Sequence, residues 1–171
     1  MNEEEIKLVQ YGTEWTDKFN TEKEKLKDVF KFYSYEIEHI GSTSVIHMTA
    51  KPIIDIAVKL EGVELVPELI LSLSGLSYIY RGEYGLEGRH FFEKGNPRQF
   101  HLHIVDDKTD HWHRWLKFRA VLRQNKEVRQ EYIKLKTELA QKYHYQREKY
   151  TQGKSDFINS IIDIFKYPDI F

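Results

Sequence analysis

The sequence predicts an α/β (α+β) fold, a mixed β-sheet flanked by helices with a helical C-terminal third, in one domain spanning residues 1–171. Three observations carry that expectation. The run Ile53-Ile54-Asp55-Ile56-Ala57-Val58, opened by Pro52, is rich in β-branched residues, as in a strand buried on both faces. Between Leu76 and Asp106, short apolar and aromatic segments alternate with glycine-bearing stretches, the pattern of hairpin strands. On both sides of this β-rich centre, apolar residues recur at helical spacing.

In chain order, Ile6 to Tyr11 reads as a short extended segment. Thr13 then stands where an N-cap belongs, ahead of a helix with Trp15, Phe19, Leu26, Val29 and Phe30 inward and a solvated face of Lys and Glu. Tyr35 to Ile40 reads as a strand running into a tight loop, Gly41-Ser42-Thr43-Ser44. After the Ile53–Val58 strand, a helix is expected over Val63–Leu73, with Leu65, Val66, Leu69, Ile70 and Leu73 on one stripe. Strands near Tyr78–Arg81, Arg89–Glu93 and Gln99–Val105 follow, separated by Gly82–Gly88 and Gly95-Asn96-Pro97. Helices are expected around His111–Gln124 and around Glu127–Tyr145, where Val128, Tyr132, Leu135, Leu139 and Tyr143 form a stripe, and finally over Lys154–Phe165.

Composition narrows the function classes. The 26 basic and 27 acidic residues nearly cancel, so no overall field draws the chain to bulk nucleic acid or to a membrane, and an anionic ligand needs a local cluster. With no cysteine there is no disulfide, thiolate nucleophile or cysteine-ligated zinc. The acidic start, MNEEEIK, lacks the basic and apolar regions of a secretory signal, and no apolar run approaches the roughly 18 residues of a membrane span. These features predict a cytoplasmic protein.

A strand, a Gly-Ser turn and a second strand bearing an aspartate suit phosphate chemistry: backbone N–H groups and a hydroxyl hold phosphate oxygens while a carboxylate positions a cation. Equally, the pattern fits an ordinary turn with Asp55 paired to backbone or to Lys51. Strand alternation puts His101 and His103 on one face, about 7 Å apart, where they can share a metal, flank an anion or face solvent. His111 and His113 have the same spacing at the start of a helix, which turns them about 200° apart and makes them structural. The stretch from Arg81 to His90 holds three glycines and two arginines. It reads either as a loop closing on a ligand, with Arg89 as anion clamp, or as a mobile hairpin loop. Arg119, on the Trp112-Trp115-Leu116-Leu122 face of its helix, requires a carboxylate or ligand partner.

The segment Glu38-His39-Ile40-Gly41-Ser42-Thr43-Ser44-Val45, followed by Ala50-Lys51-Pro52-Ile53-Ile54-Asp55-Ile56, resembles the signature of the GrpB family. Further similarity lies in Tyr11 with Trp15, Arg89-His90-Phe91-Phe92, His101-Leu102-His103, Phe118-Arg119 with Leu122-Arg123, Tyr132 with Leu135-Lys136, and Tyr150 with Lys154 and Phe157-Ile158. The resemblance implies a nucleotidyltransferase-like fold, in which a Gly-Ser loop and carboxylates on adjacent strands hold a metal-bound nucleoside triphosphate. Carried onto this chain, it implies a small anionic or nucleotide ligand, with Gly41, Ser42 and Thr43 cradling phosphate and Lys51 and Arg89 neutralising it. Asp55 and His103 would be the catalytic pair, and Asp55, His101 and His103 would hold Mg²⁺ or Mn²⁺. These roles imply a nucleotide- or phosphate-binding protein or a nucleotidyltransferase, the alternative being a non-catalytic module that binds a small anionic ligand or a protein partner, and three departures bear on the choice. Nucleotidyltransferases carry two carboxylates separated by one residue, whereas Asp55 is followed on its face by Ala57. Val45-Ile46-His47-Met48 replaces the family's Val-Pro-Gly-Leu, and Ala120 replaces an acidic residue after Phe-Arg. No Gly-x-x-x-x-Gly-Lys-Ser/Thr loop is present, which argues against a kinase.

Overall fold

The computed structural model describes residues 5–61 and 67–165. In chain order it contains α1 (Glu14–Phe30), β1 (Tyr35–Ile40), a short 3₁₀ turn (Ser42–Ser44), β2 (Ile54–Leu60), α2 (Pro67–Gly75), β3 (Tyr78–Tyr80), β4 (His90–Lys94) and β5 (Phe100–Val105). The helical C-terminal part follows as α3 (His111–Gln124), α4 (Lys126–Lys142), α5 (Arg147–Gln152) and α6 (Ser155–Ile164). Among the described residues the strands form one sheet in the order β1-β2-β5-β4-β3. β2 and β5 are parallel, and the other neighbours are antiparallel.

The sheet is buried on both faces, as the Ile53–Val58 run implies. On one face Ile54, Ile56, Val58, Leu102 and Ile104 pack against Trp15, Phe19, Leu26 and Phe30 of α1 and Leu69 and Leu73 of α2. Each fully buried side chain of this size contributes about 1.5–3 kcal/mol, so this layer is the main source of stability. On the other face Ala57 and Val105, joined by Ile40, pack under Trp112 and Leu116 of α3. Val45 and Met48, just beyond the 3₁₀ turn, insert among Val121, Leu122, Val128, Tyr132 and Ile161 of α3, α4 and α6. The loop after β1 is thereby locked into the helical layer.

Several expectations change in detail. α2 begins at Pro67, and Val63 to Val66 of the expected helix lie outside the described residues. Thr13 does precede α1, but its backbone is already helical and its side chain makes no capping bond. The polar face of α1 is not wholly solvated, because Glu22 is buried and paired with Lys94 of β4 and Lys25. The helix expected over Glu127–Tyr145 ends at Lys142, and a further short helix, α5, follows it. Six residues are too few to show a periodicity, although α5 buries Tyr150 almost completely.

Candidate functional site

Gly41 joins β1 to the 3₁₀ turn at φ +69°, and a Cβ there would lie 2.5 Å from Asp55 Oδ2. Both the left-handed backbone and the close approach of the carboxylate require glycine. The turn is then fixed from several sides. Ser44 Oγ donates to the Gly41 carbonyl at 2.6 Å, while Arg123 Nε and Nη2 donate to the Ser44 carbonyl at 3.1 and 2.7 Å. Thr43 is 1% exposed; its hydroxyl donates to the Ile53 carbonyl at 3.4 Å and faces His39 Nε2 at 2.9 Å. Burial pushes His39 down to about 4, so the imidazole is neutral and donates to Thr43. Arg119 finds its partners in Glu38, at 2.6 Å, and the His39 carbonyl, at 2.7 Å.

Register does the rest. In the parallel β2–β5 pair Asp55 lies opposite His101, and Ala57 opposite His103. All four side chains share a face, and the methyl group of Ala57 leaves room for the His103 ring to lean towards Asp55. Asp55 Oδ1 is 2.9 Å from His101 Nδ1 and 3.3 Å from His103 Nε2. On their far sides His101 Nε2 meets Arg147 Nη2 at 3.1 Å, and His103 Nδ1 meets Arg89 Nη1 at 3.3 Å. A guanidinium only donates, so each imidazole turns its lone pair to an arginine and its N–H to Asp55. Burial alone would raise the Asp55 carboxyl, but the hydrogen bonds from the two histidines hold it well below the usual carboxylate range. Burial pushes His103 down against the pull of Asp55.

A cluster of cations surrounds this array. Lys136, on α4 and 2% exposed, donates to Ser42 Oγ at 3.0 Å and to the Thr49 carbonyl. Lys51 and Lys154 lie over the Tyr150 ring, 5.2 and 4.4 Å from its centroid. Burial, reinforced by Arg147 and Lys154, pushes the Lys51 ammonium down to about 7. Burial, with Lys154 and Lys51 nearby, pushes Lys136 down to about 7. Lys154 falls to about 8, chiefly through burial, with Asp55 opposing and Arg147 adding to the shift. Arg89 is anchored: it donates to the Glu83 carbonyl at 3.2 and 3.0 Å and the Tyr84 carbonyl at 2.8 Å, and lies over Phe91 at 4.8 Å. It therefore pins the glycine-rich loop as well as facing Asp55.

Gly41, Ser42, Lys51, Asp55, Arg89, His101 and His103 thus come together in one place. Thr43 does not join them, since its hydroxyl points into the core. His111 caps the glycine-rich loop through the Glu87 carbonyl at 2.8 Å and stacks on Trp115. Three members, Lys136, Lys154 and Arg147, escape the reading of the sequence as site residues. Lys136 carried a signal: it falls four residues after Tyr132 and eight after Val128, on the buried stripe rather than beside it. A hollow of about 490 Å³ lies elsewhere, between α1 and α2 around Val29, Tyr33 and Leu69. It has none of these groups.

The family model described as "GrpB protein" matches residues 5–163. The UPF0157 protein YqkA of Bacillus subtilis is 36% identical over 156 residues, covering 91% of this chain and 46% of YqkA, so the chain spans about half that relative's length. Glutamate-rich protein GrpB of Alkalihalophilus pseudofirmus is 31% identical, with 95% of this chain and 97% of that protein covered. Among solved structures, the crystal structure of conserved protein GrpB from Enterococcus faecalis superposes with a TM-score of 0.85 at 38% identity, over 92% of this chain and 95% of that one. No helix among the described residues is long and apolar enough to cross a membrane. The signature around the Gly41 turn and Asp55, the mixed five-stranded sheet and these matches agree: the chain belongs to the GrpB family.

Proposed function

We propose that the face around Ser42 and Asp55 binds a phosphate-bearing anion, with a nucleotide as the ligand class. The observation that carries this reading is the convergence of Lys51, Lys136 and Lys154, with Arg147, beside Asp55. Burying several like charges costs stability unless a counter-charge arrives, and their depressed affinity for protons is the sign of that cost. A phosphate group, with several acceptor oxygens and one or two negative charges, suits the three lysines of this cluster. Ser42 adds a hydroxyl beside Lys136, and Gly41 brings the turn's backbone against Asp55. Tyr150 lies beneath Lys51 and Lys154 and keeps their stems ordered.

The geometry supports binding better than nucleotidyl transfer. Transfer in the nucleotidyltransferases that the sequence resembles relies on a second same-face carboxylate, and that place is Ala57. Glu38, opposite Ala57 on β1, is committed to Arg119. Calorimetric titration with ATP, CTP, pyrophosphate and inorganic phosphate tests the reading. We expect at least one to bind, and Lys51→Ala with Lys154→Ala to weaken it about 100-fold, two charge-assisted hydrogen bonds being worth about 3 kcal/mol or more. Equal affinity in the double variant, or no binding at millimolar ligand, contradicts it.

A further inference from the structure

We infer that Lys51, Lys154 and Arg147 take the place of a divalent cation in this site, so that a phosphate-bearing ligand binds there free of metal. This rests on the phosphate reading above and adds to it the form in which the ligand is recognised.

The donor atoms of Asp55, His101 and His103 lie within 4.8 Å of one another, a spacing that by itself invites an ion. The protons decide against it. Ligation through His101 Nδ1 and His103 Nε2 needs lone pairs on those atoms, which moves the ring protons to His101 Nε2 and His103 Nδ1. Those nitrogens face Arg147 Nη2 at 3.1 Å and Arg89 Nη1 at 3.3 Å, and neither arginine can accept a proton. Histidine ligands hand their outer N–H to a carboxylate, carbonyl or water, the opposite of what stands here. Arg89 is not free to swing away, because its other N–H groups are held by the Glu83 and Tyr84 carbonyls.

The oxygen set is also poor for Mg²⁺, which takes six hard ligands, mainly carboxylates, phosphates and waters. β2 offers Asp55 and then Ala57, and one oxygen of Asp55 already receives both imidazoles. Its other oxygen packs against Gly41. A further dication would enter a neighbourhood where Lys51, Lys136 and Lys154 are each already set against another cationic side chain. Asp55 then serves as the anchor that orients the two histidines and holds the arginines and lysines near one another. The cationic side chains bring the positive charge that a metal brings elsewhere.

The test combines three measurements on the full chain after chelation. In long-range ¹H–¹⁵N spectra of the histidine rings, assigned with His101→Gln and His103→Gln, His101 should carry its proton on Nδ1 and His103 on Nε2. MnCl₂ alone should leave both rings unbroadened, whereas in Arg89→Gln/Arg147→Gln it should broaden them at concentrations at least about tenfold lower. ATP should bind in EDTA as tightly as in MgCl₂, within about twofold, or more tightly. Broadening of both rings by micromolar Mn²⁺ in the unaltered protein, or ATP binding that EDTA abolishes and Mn²⁺ restores, overturns this inference and leaves the phosphate reading standing. Failure of ATP, pyrophosphate and phosphate to bind in either buffer overturns the phosphate reading and this inference with it.

Discussion

Lys136→Met should flatten the rise of stability with pH. In the folded chain the Lys136 ammonium loses its proton at about 7, against 10.5 for an ordinary lysine. Between those values the unfolded chain binds more protons than the folded one, so stability rises with pH; below about 7 both states are protonated and the penalty is constant. Integrating from pH 7 to pH 9 gives about 2 kcal/mol from this lysine alone. That corresponds to about 4–8 °C in Tm for a chain of this size. Lys51 and Lys154 shift in the same direction, so the unaltered protein keeps a steeper rise with pH than this lysine alone gives, and Lys136→Met removes its own share. Methionine keeps the volume but surrenders the bonds to Ser42 Oγ and the Thr49 carbonyl, an offset of about 1–2 kcal/mol that does not depend on pH. The assay is urea unfolding of both proteins at pH 7 and pH 9. Identical pH differences in the two would refute the view that Lys136 is buried beside other cations.

Three further outcomes follow from the same geometry. Gly41→Ala should cost about 2–4 kcal/mol, because φ +69° is unfavourable for alanine and its Cβ would press on Asp55 Oδ2 at 2.5 Å; thermal unfolding measures it, and a loss below about 0.5 kcal/mol would refute the close approach. Arg119→Met should leave Glu38 without its guanidinium and the His39 carbonyl without a donor, lowering stability by about 2–3 kcal/mol, and denaturant titration showing no change would remove the pair's importance. Asp55→Asn should destabilise the ligand-free protein by about 3 kcal/mol at pH 7, because the cations lose their counter-charge. Asp55 is depressed when folded, so this difference should persist above about pH 4 and shrink as pH falls through its folded value. A difference that grows towards low pH would contradict the assignment.

The elements with a strong local signal were legible in the sequence. The Ile53–Val58 run betrays a doubly buried strand, and Gly41 marks a sharp turn because few other residues tolerate its backbone. The parallel pairing of β2 with β5 was not legible, since it is a non-local contact, yet it is what carries His101 and His103 to Asp55. Thr43 was misplaced for a different reason. Within a 3₁₀ turn the side-chain direction follows neither strand alternation nor the helical stripe, and the hydroxyl turned inward to His39. Charged residues in helices usually mark a solvated face, and that habit hid Glu22 and Lys136, both on faces where their apolar neighbours are buried. Arg147 lies on a helix too short to announce itself, so its approach to His101 was visible only in three dimensions.

That buried Lys136 and half-buried Lys51 and Lys154 receive a phosphate-bearing anion is tested most directly by calorimetry of ATP binding at pH 8 in two buffers of different ionisation enthalpy. With Lys51 and Lys136 titrating at about 7 and Lys154 at about 8, the ligand-free site is largely deprotonated at that pH. An incoming phosphate restores their ordinary proton affinity, so binding should take up about two protons per ligand. Uptake of that size, lost in Lys136→Met/Lys154→Met, agrees with the account. Binding with no proton uptake, or no binding at all, contradicts it.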